Sequence, residues 1–219
     1  MNNYSNDRIC YIFGAGPISL PLKFLPSPEK DFVIAADAGY KTLSKCSLKP
    51  DLLVGDLDSL GSAPDGVELV RFPTIKDDTD MMLAIKEGMK RGYTNFIIYG
   101  GLGGRIEFTL ANMQILYNVV NNGCRCFFVG EKCLVTATRN GKLRFNSSFN
   151  GRISVFAGNK DAFGVTISGL KYTLDNGVLH YDNPLGVSNE FIGKSGEISV
   201  ENGVICVVYD DCNNLLYCE

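Results

Sequence analysis

The chain has 219 residues, 45% of them hydrophobic and 21% charged, with a formal net charge of −3 and a pI near 5.3. That is ordinary globular composition at a length able to bury a real core. The acidic balance argues against a nucleic-acid-binding protein, which would show a basic face, and no apolar run is long enough to span a bilayer as a helix.

Ile9–Phe13 is apolar enough to pass for a short signal core, but Asp7 precedes it and Gly14-Ala15-Gly16-Pro17 breaks it at once. It reads as a first strand, so the expectation is a cytoplasmic protein with no membrane association. The eight cysteines include no Cys-x-x-Cys pair. In a chain of this size they read as buried, reduced thiols, with Cys10, Cys133 and Cys206 in apolar runs and Cys124 and Cys126 facing one way on a strand. The only histidine, His180, cannot build a zinc site alone, and no motif supports a triad around it.

The glycine turn after the first strand resembles the opening of a dinucleotide fingerprint, but Ser19 stands where the third glycine belongs and the reading fails. Phe32–Ala36 is a second strand ending in Asp37-Ala38-Gly39, and a short helix follows over Tyr40–Cys46. Leu52-Leu53-Val54 is the end of a buried strand, opening through Gly55 into Asp56-Leu57-Asp58. If the extended geometry persists, Asp56 and Asp58 point to one side. Carboxylates so close repel unless a cation lies between them, and Mg²⁺ with a nucleotide phosphate is the usual solution. The plainer alternative is a polar loop whose aspartates cap a helix.

Val67–Phe72 is a fourth strand. Lys76-Asp77-Asp78-Thr79-Asp80 then precedes a helix over Met81–Arg91, with Ala84, Ile85, Gly88 and Met89 at helical spacing. Asp or Thr before such a run is a cap signature, and acidic residues suit the helix N-terminus. Functionally, Asp77 and Asp80 are three apart, so a helical start stacks them on one face. Asn95–Tyr99 is a strand running into Gly100-Gly101-Leu102-Gly103-Gly104-Arg105, then a helix over Ile106–Val120. Four glycines between strand and helix cost chain entropy. Such a loop lets backbone N–H groups approach an anion, and Arg105 adds a bidentate phosphate ligand. It is not a Walker loop, and Gly193-Lys194-Ser195 fails as one because Ser188 replaces the first glycine.

Cys124–Val129 is one more strand. The alternation of strand and helix to this point argues for a parallel sheet with helices on its faces and ligand loops at the strands' carboxyl ends. After about residue 121 no helical period appears. Cys133–Thr138 and Lys142–Phe145 flank Asn140-Gly141, Ile153–Ala157, Val165–Ser168 and Glu197–Val200 are short strands, and Asn202-Gly203 leads into Val204–Tyr209. Both Asn-Gly pairs predict hairpins. The expected fold is an α/β domain over residues 1–140, with a parallel, Rossmann-like sheet and flanking helices, and an all-β, sandwich- or barrel-like domain over residues 141–219.

Several separated blocks then converge. Pro50-Asp51 with Gly55-Asp56-Leu57-Asp58-Ser59, Lys76-Asp77-Asp78-Thr79-Asp80, the stretch Gly100 to Asn112, Gly169-Leu170-Lys171-Tyr172-Thr173-Leu174, and Gly186-Val187-Ser188-Asn189-Glu190 stand in one order. In that order they resemble the motifs of the thiamine pyrophosphokinase family across most of the chain. The resemblance implies transfer of pyrophosphate from ATP to the hydroxyl of thiamine, giving thiamine diphosphate and AMP, in a homodimer with active sites at the subunit interface. It implies that Asp56, Asp58 and Asp80 hold Mg²⁺ with Asp77 close by. Asp37, Lys76, Thr79, Gly101, Gly103, Gly104, Arg105 and Asn112 would bind ATP, and Lys76, Glu107, Ser188 and Asn189 would bind thiamine. Asp56, Asp58, Asp77, Asp80 and Arg105 would be the catalytic set.

Three departures accompany the resemblance. Glu107-Phe108 stands where the family has Asp-His, and Asp37-Ala38-Gly39 where members often have Asp-Gly-Gly. With no tryptophan in the chain, a thiamine ring would stack on Tyr or Phe. The first departure motivates two alternatives: a related pyrophosphokinase with another acceptor, such as a hydroxymethyl pterin, and a nucleotide- or thiamine-binding sensor without activity.

Overall fold

Continuous apolar runs build the first part of the chain, and alternating ones the last. In the computed structural model, which describes residues 8–55, 66–71 and 77–218, the chain divides into two compact units. The first takes residues up to 115 with 128–131, and the second takes 116–127 with 132 onward.

In the first unit, β1 (Cys10–Phe13) and β3 (Leu52–Gly55) are buried at every position, while β2 (Phe32–Ala36) and β5 (Asn95–Tyr99) are buried at all but their first residue. Strands covered on both faces have no polar side to show, hence the unbroken apolar runs. With β4 (Glu68–Arg71) they lie in the order β5-β1-β2-β3-β4, all parallel. The helices α1 (Gly39–Lys45) and α2 (Asp80–Lys90) pack on β1 and β2. The chain moves outward from β1 to β4 and then returns to add β5 on the other side of β1. That reversal makes the β1–β5 edge a topological switch point, where the loops at the strands' carboxyl ends diverge and leave a crevice.

Tyr99, the last residue of β5, stacks on Phe13 with centroids 5.1 Å apart. Its hydroxyl donates to the Phe24 carbonyl at 2.9 Å and accepts from the Phe24 amide at 2.8 Å. Burial pushes this phenol up to about 12. The pair locks the ends of β1 and β5 against each other just below the crevice.

The third helix, α3 (Ile106–Asn121), has its first ten residues in the first unit and its remainder in the second, followed by β6 (Arg125–Val129). The second unit holds two groups of antiparallel strands. One runs β7 (Leu134–Arg139), β14 (Val204–Tyr209), β9 (Arg152–Ala157), β12 (Asn189–Glu190). The other runs β11 (Leu174–Leu179), β10 (Ala162–Ser168), β13 (Gly196–Ser199), β8 (Lys142–Phe145), β15 (Tyr217–Cys218). β9 alternates buried and half-exposed residues, the pattern of strands with one face in a core. Phe191 packs against Phe145 at 5.1 Å and Phe149 at 5.3 Å, and Tyr209 joins them, so β8 and β14 share one aromatic core.

The two expected hairpins are absent. β7 pairs with β14 and β8 with β13 and β15, so Asn140-Gly141 carries the chain from one sheet to the other. Asn202-Gly203 does the same between β13 and β14. The two corners hold each other: the Asn140 amide donates to the Gly203 carbonyl at 3.1 Å, and the Gly203 amide donates to Asn140 Oδ1 at 2.8 Å. Asn-Gly supplies a left-handed backbone (Asn140 has φ 46°), which serves a sheet-to-sheet corner as well as a two-residue turn. Burial of the aromatic core, a long-range effect, decides between them.

Cys10, Cys46, Cys124, Cys126, Cys133, Cys206 and Cys212 carry no disulfide, and Cys10, Cys126, Cys206 and Cys212 are buried. Desolvation raises the Cys206 thiol to about 12 and that of Cys10 further, so both are inert hydrophobes. Cys124 is not a strand residue facing with Cys126, because β6 begins at Arg125. Among the described residues no helix is long and apolar enough to cross a membrane.

Candidate active site

At the switch point the loops enclose a cavity of about 480 Å³. The turn after β1 contributes Gly14, Ala15, Gly16 and Pro17, and the end of β2 contributes Ala36 and Asp37. The start of α2 contributes Thr79, Asp80 and Met81, the loop after β5 Gly100, Gly101, Gly103, Gly104 and Arg105, and α3 Phe108 and Asn112. Five chain segments meet here because each ends a parallel strand or begins the following helix.

Local sequence fixes each segment. Asp37 adopts φ 48°, a left-handed conformation that Asp tolerates, and its amide bonds the Val54 carbonyl at 2.9 Å. The chain thus turns off β2 directly into α1. Gly39, two residues on, lies so close to the Phe13 carbonyl that a Cβ would overlap it. Thr79 is extended (φ −71°, ψ 156°) and caps α2, its Oγ1 accepting from the Met82 amide at 3.2 Å. The helix therefore starts at Asp80, and Asp77 stands before it. The expected helical stacking of Asp77 on Asp80 does not arise, because a capping residue separates them.

The glycine loop is held from α3. The Asn112 side chain, 6% exposed, donates to the Gly101 carbonyl at 2.7 Å, and Thr109 Oγ1 accepts from the Gly103 amide at 3.1 Å. Gly100, Gly103 and Gly104 all have φ between 67° and 78°, which favours glycine strongly. The Gly103 N–H is thus engaged by Thr109 in this structure. Gly16 donates to the Gly100 carbonyl at 3.0 Å, tying the two glycine turns together.

Among the described residues that line the cavity, Arg105 is the one cation. Its Nε and Nη2 both lie 2.6 Å from Glu107 Oε1, and its guanidinium carbon stands 4.5 Å above the centroid of the Phe108 ring. The backbone amide of Glu107 itself, and then the Arg105 guanidinium, hold the Glu107 carboxyl below the usual carboxylate range. Glu107, expected against thiamine, is exposed and faces Arg105.

Of the expected residues, Asp37, Thr79, Asp80, Gly101, Gly103, Gly104, Arg105 and Asn112 line this one cavity. Asp56, Asp58 and Lys76 lie outside the described residues. Ser188 and Asn189 belong to the second unit. Ser188 is exposed at φ 61°, and its amide donates to Ser154 Oγ at 3.0 Å. Asn189 is 5% exposed; its Nδ2 donates to the Tyr172 carbonyl at 2.6 Å and its Oδ1 accepts from the Tyr172 amide at 2.9 Å. Its carboxamide therefore holds the exposed Tyr172 in place. Sequence reasoning assigned no site role to Gly14–Pro17, Ala36, Met81, Gly100 or Phe108, which also line the cavity. The Gly-x-Gly after a first strand was the available signal, set aside when the full fingerprint failed.

The cavity's donors suit a hard cation. Asp37 and Asp80 bring carboxylate oxygens and Thr79 a hydroxyl, the oxygen chemistry that Mg²⁺ takes with substrate phosphates. Among the described residues no three acidic, histidine or cysteine side chains converge.

A parallel sheet, a crevice at its switch point and a glycine loop with one arginine are features that phosphoryl-transfer proteins share. A family model described as "Thiamin pyrophosphokinase, catalytic domain" matches residues 27–128, and one described as "Thiamin pyrophosphokinase, vitamin B1 binding domain" matches residues 142–205. Together they take in about three quarters of the chain. The thiamine pyrophosphokinase of Bacillus subtilis is 27% identical over 190 residues, covering 82% of this chain and 87% of that one. Thiamine pyrophosphokinase 1 of Oryza sativa is 22% identical over 219 residues, covering 92% and 78%. The crystal structure of the Bacillus subtilis enzyme superposes with a TM-score of 0.82 at 24% identity, over 95% of this chain and all of that one. Thiamin pyrophosphokinase from Candida albicans does so at 0.75 and 17%, over 95% and 91%. At these identities the structures speak for the fold alone. The chain belongs to the thiamin pyrophosphokinase family and is an ATP-dependent diphosphotransferase.

Proposed function

We propose that the crevice of the first unit binds ATP with Mg²⁺, that the second unit binds thiamine, and that the chain joins the two as thiamine diphosphate and AMP. The observation that carries this is the convergence of eight residues from three sequence stretches, Asp37 to Asn112, on one cavity. Arg105 and the backbone of the glycine loop hold the triphosphate, with Thr79 beside it. The Thr79 hydroxyl accepts the cap bond and keeps its own proton to donate to a phosphate oxygen.

The thiamine hydroxyl oxygen bonds to the β-phosphorus of ATP. The bond from that phosphorus to the α,β-bridging oxygen breaks, AMP leaves, and the alcohol proton passes to a carboxylate of the aspartate group. A primary alcohol is a weak nucleophile, so in-line positioning and charge neutralisation supply most of the rate. Asp80, with Asp56 and Asp58, would hold Mg²⁺, with Asp77 close by. When bound, the ion neutralises phosphate charge. Lys76 is assigned to the reacting phosphates or to thiamine, and Ser188 and Asn189 to the thiamine side, where Asn189 acts through Tyr172.

The working form in this proposal is a homodimer in the cytoplasm. Leu185, Val187 and Ile192, which flank Ser188, are exposed at 65%, 46% and 44%, and apolar groups so grouped favour a partner surface. The buried thiols of Cys10, Cys206 and Cys212, none in a disulfide, suit a reducing compartment.

The test is AMP production from ATP and Mg²⁺ with and without thiamine, with the second product identified by mass. Thiamine-dependent AMP with thiamine diphosphate is the expected result. No AMP from folded protein, together with thermal stabilisation by a hydroxymethyl pterin and none by thiamine, would overturn the acceptor.

A further inference from the structure

The guanidinium of Arg105 is planar, so it offers its edge and its face to different partners at once. Here the Nε/Nη2 edge is taken by Glu107 and the face by Phe108. That edge is the one a phosphate would take in bidentate fashion, whereas the face is left alone by such a ligand. Phe108 lines the cavity and is 47% exposed, so its ring face is open to the guanidinium. The Arg105 side chain is itself 69% exposed, and apart from these two residues nothing in its described contacts orders it.

We infer that Phe108 is a positioning residue that keeps the Arg105 guanidinium at the cavity while its edge exchanges Glu107 for a nucleotide phosphate, and that Glu107 is a built-in competitor for that edge. This rests on the assignment of Arg105 to the triphosphate. The two side chains then act in opposite senses on nucleotide affinity. The ring contact survives the exchange and reduces the freedom the arginine loses when it grips phosphate. The carboxylate contact must break, so it weakens binding by as much as it stabilises the empty site.

The test is the affinity of Mg²⁺ with α,β-methylene-ATP, which cannot be cleaved at the reacting bond, measured by calorimetry on the full chain. Steady-state constants for ATP and thiamine are taken alongside. Phe108→Leu keeps an apolar group but removes the ring face, and should weaken the analogue about two- to five-fold. It should raise KM for ATP by the same factor, and by more than it changes KM for thiamine. Phe108→Tyr should restore wild-type affinity. Glu107→Gln should tighten the analogue about two-fold. In an Arg105→Ala background, both changes should become neutral. Equal affinities for Phe108→Leu, Phe108→Tyr and wild type would overturn the role of the ring. Glu107→Gln acting on thiamine but not on the nucleotide would overturn the competitor. If Arg105→Ala itself binds the analogue as wild type does, the placement of Arg105 on the triphosphate fails, and this inference fails with it.

Discussion

Arg105 and Asn112 lie on the same side of the cavity but do different work. Arg105 is exposed and reaches its partners with a long flexible chain. Asn112 is buried and holds the loop by the Gly101 carbonyl. Removing the Asn112 side chain leaves that buried carbonyl without its donor. Asn112→Ala should therefore cost about 1–3 kcal/mol in denaturant unfolding and raise KM for ATP more than KM for thiamine. Asp80 begins α2 and lines the cavity without being buried in the core, so Asp80→Asn should lower turnover about a hundred-fold or more while costing only about 1 kcal/mol or less in unfolding, the scale of a charge at a helix N-terminus. Wild-type turnover in that variant would remove Asp80 from the site. Gly39 is a different kind of residue: Gly39→Ala forces a methyl into the Phe13 carbonyl and should cost about 1–3 kcal/mol, read as a lower denaturant midpoint at constant slope.

At the scale of elements, what was legible followed from local physics. β5 fell on the expected residues and α2 and α3 began and ended within a residue or so of expectation, because their apolar periods and flanking turns are local signals. Thr79 was legible as a cap for the same reason. Thr79→Ala should destabilise the protein by about 1 kcal/mol, and Thr79→Ser should recover most of it, as checked by thermal or urea unfolding. The pairing of β7 and β8 was not legible. An Asn-Gly turn reports that the chain bends there, and says nothing about which strand lies alongside afterwards.

For the whole molecule, charge matters where strands meet. Glu197 on β13 faces Arg144 on β8 in register, with Arg144 Nε donating at 2.7 Å and Lys142 Nζ at 3.1 Å. The Arg144 hydrogen bond, aided by Lys142, holds this carboxyl below its ordinary value. A depressed folded-state value means the stabilisation is present above the unfolded value and is lost as pH falls through the folded one. The pair is partly exposed, so the loss is about 1 kcal/mol or less. Glu197→Gln should be less stable than wild type at neutral pH, and the gap should close below pH ~4, in paired urea titrations. Light scattering should report a dimer, and Leu185→Asp with Val187→Asp should shift it toward monomer and raise KM for thiamine; a wild-type monomer would overturn the dimer reading.

By itself the sequence determined the strand and helix inventory of the first unit, the β character of the last third and the blocks that mark the family, all of which are contiguous runs. Only the tertiary structure decided that strand order reverses at β1 and β5, bringing Gly14–Pro17 beside the glycine loop. Only it decided that the two Asn-Gly corners bind each other across 63 residues and that Glu107 and Phe108 grip Arg105 by edge and face. The reason is physical: periodicity and turn chemistry are fixed by neighbours in the chain, whereas pairing and side-chain contact are fixed by which distant surfaces lose water together.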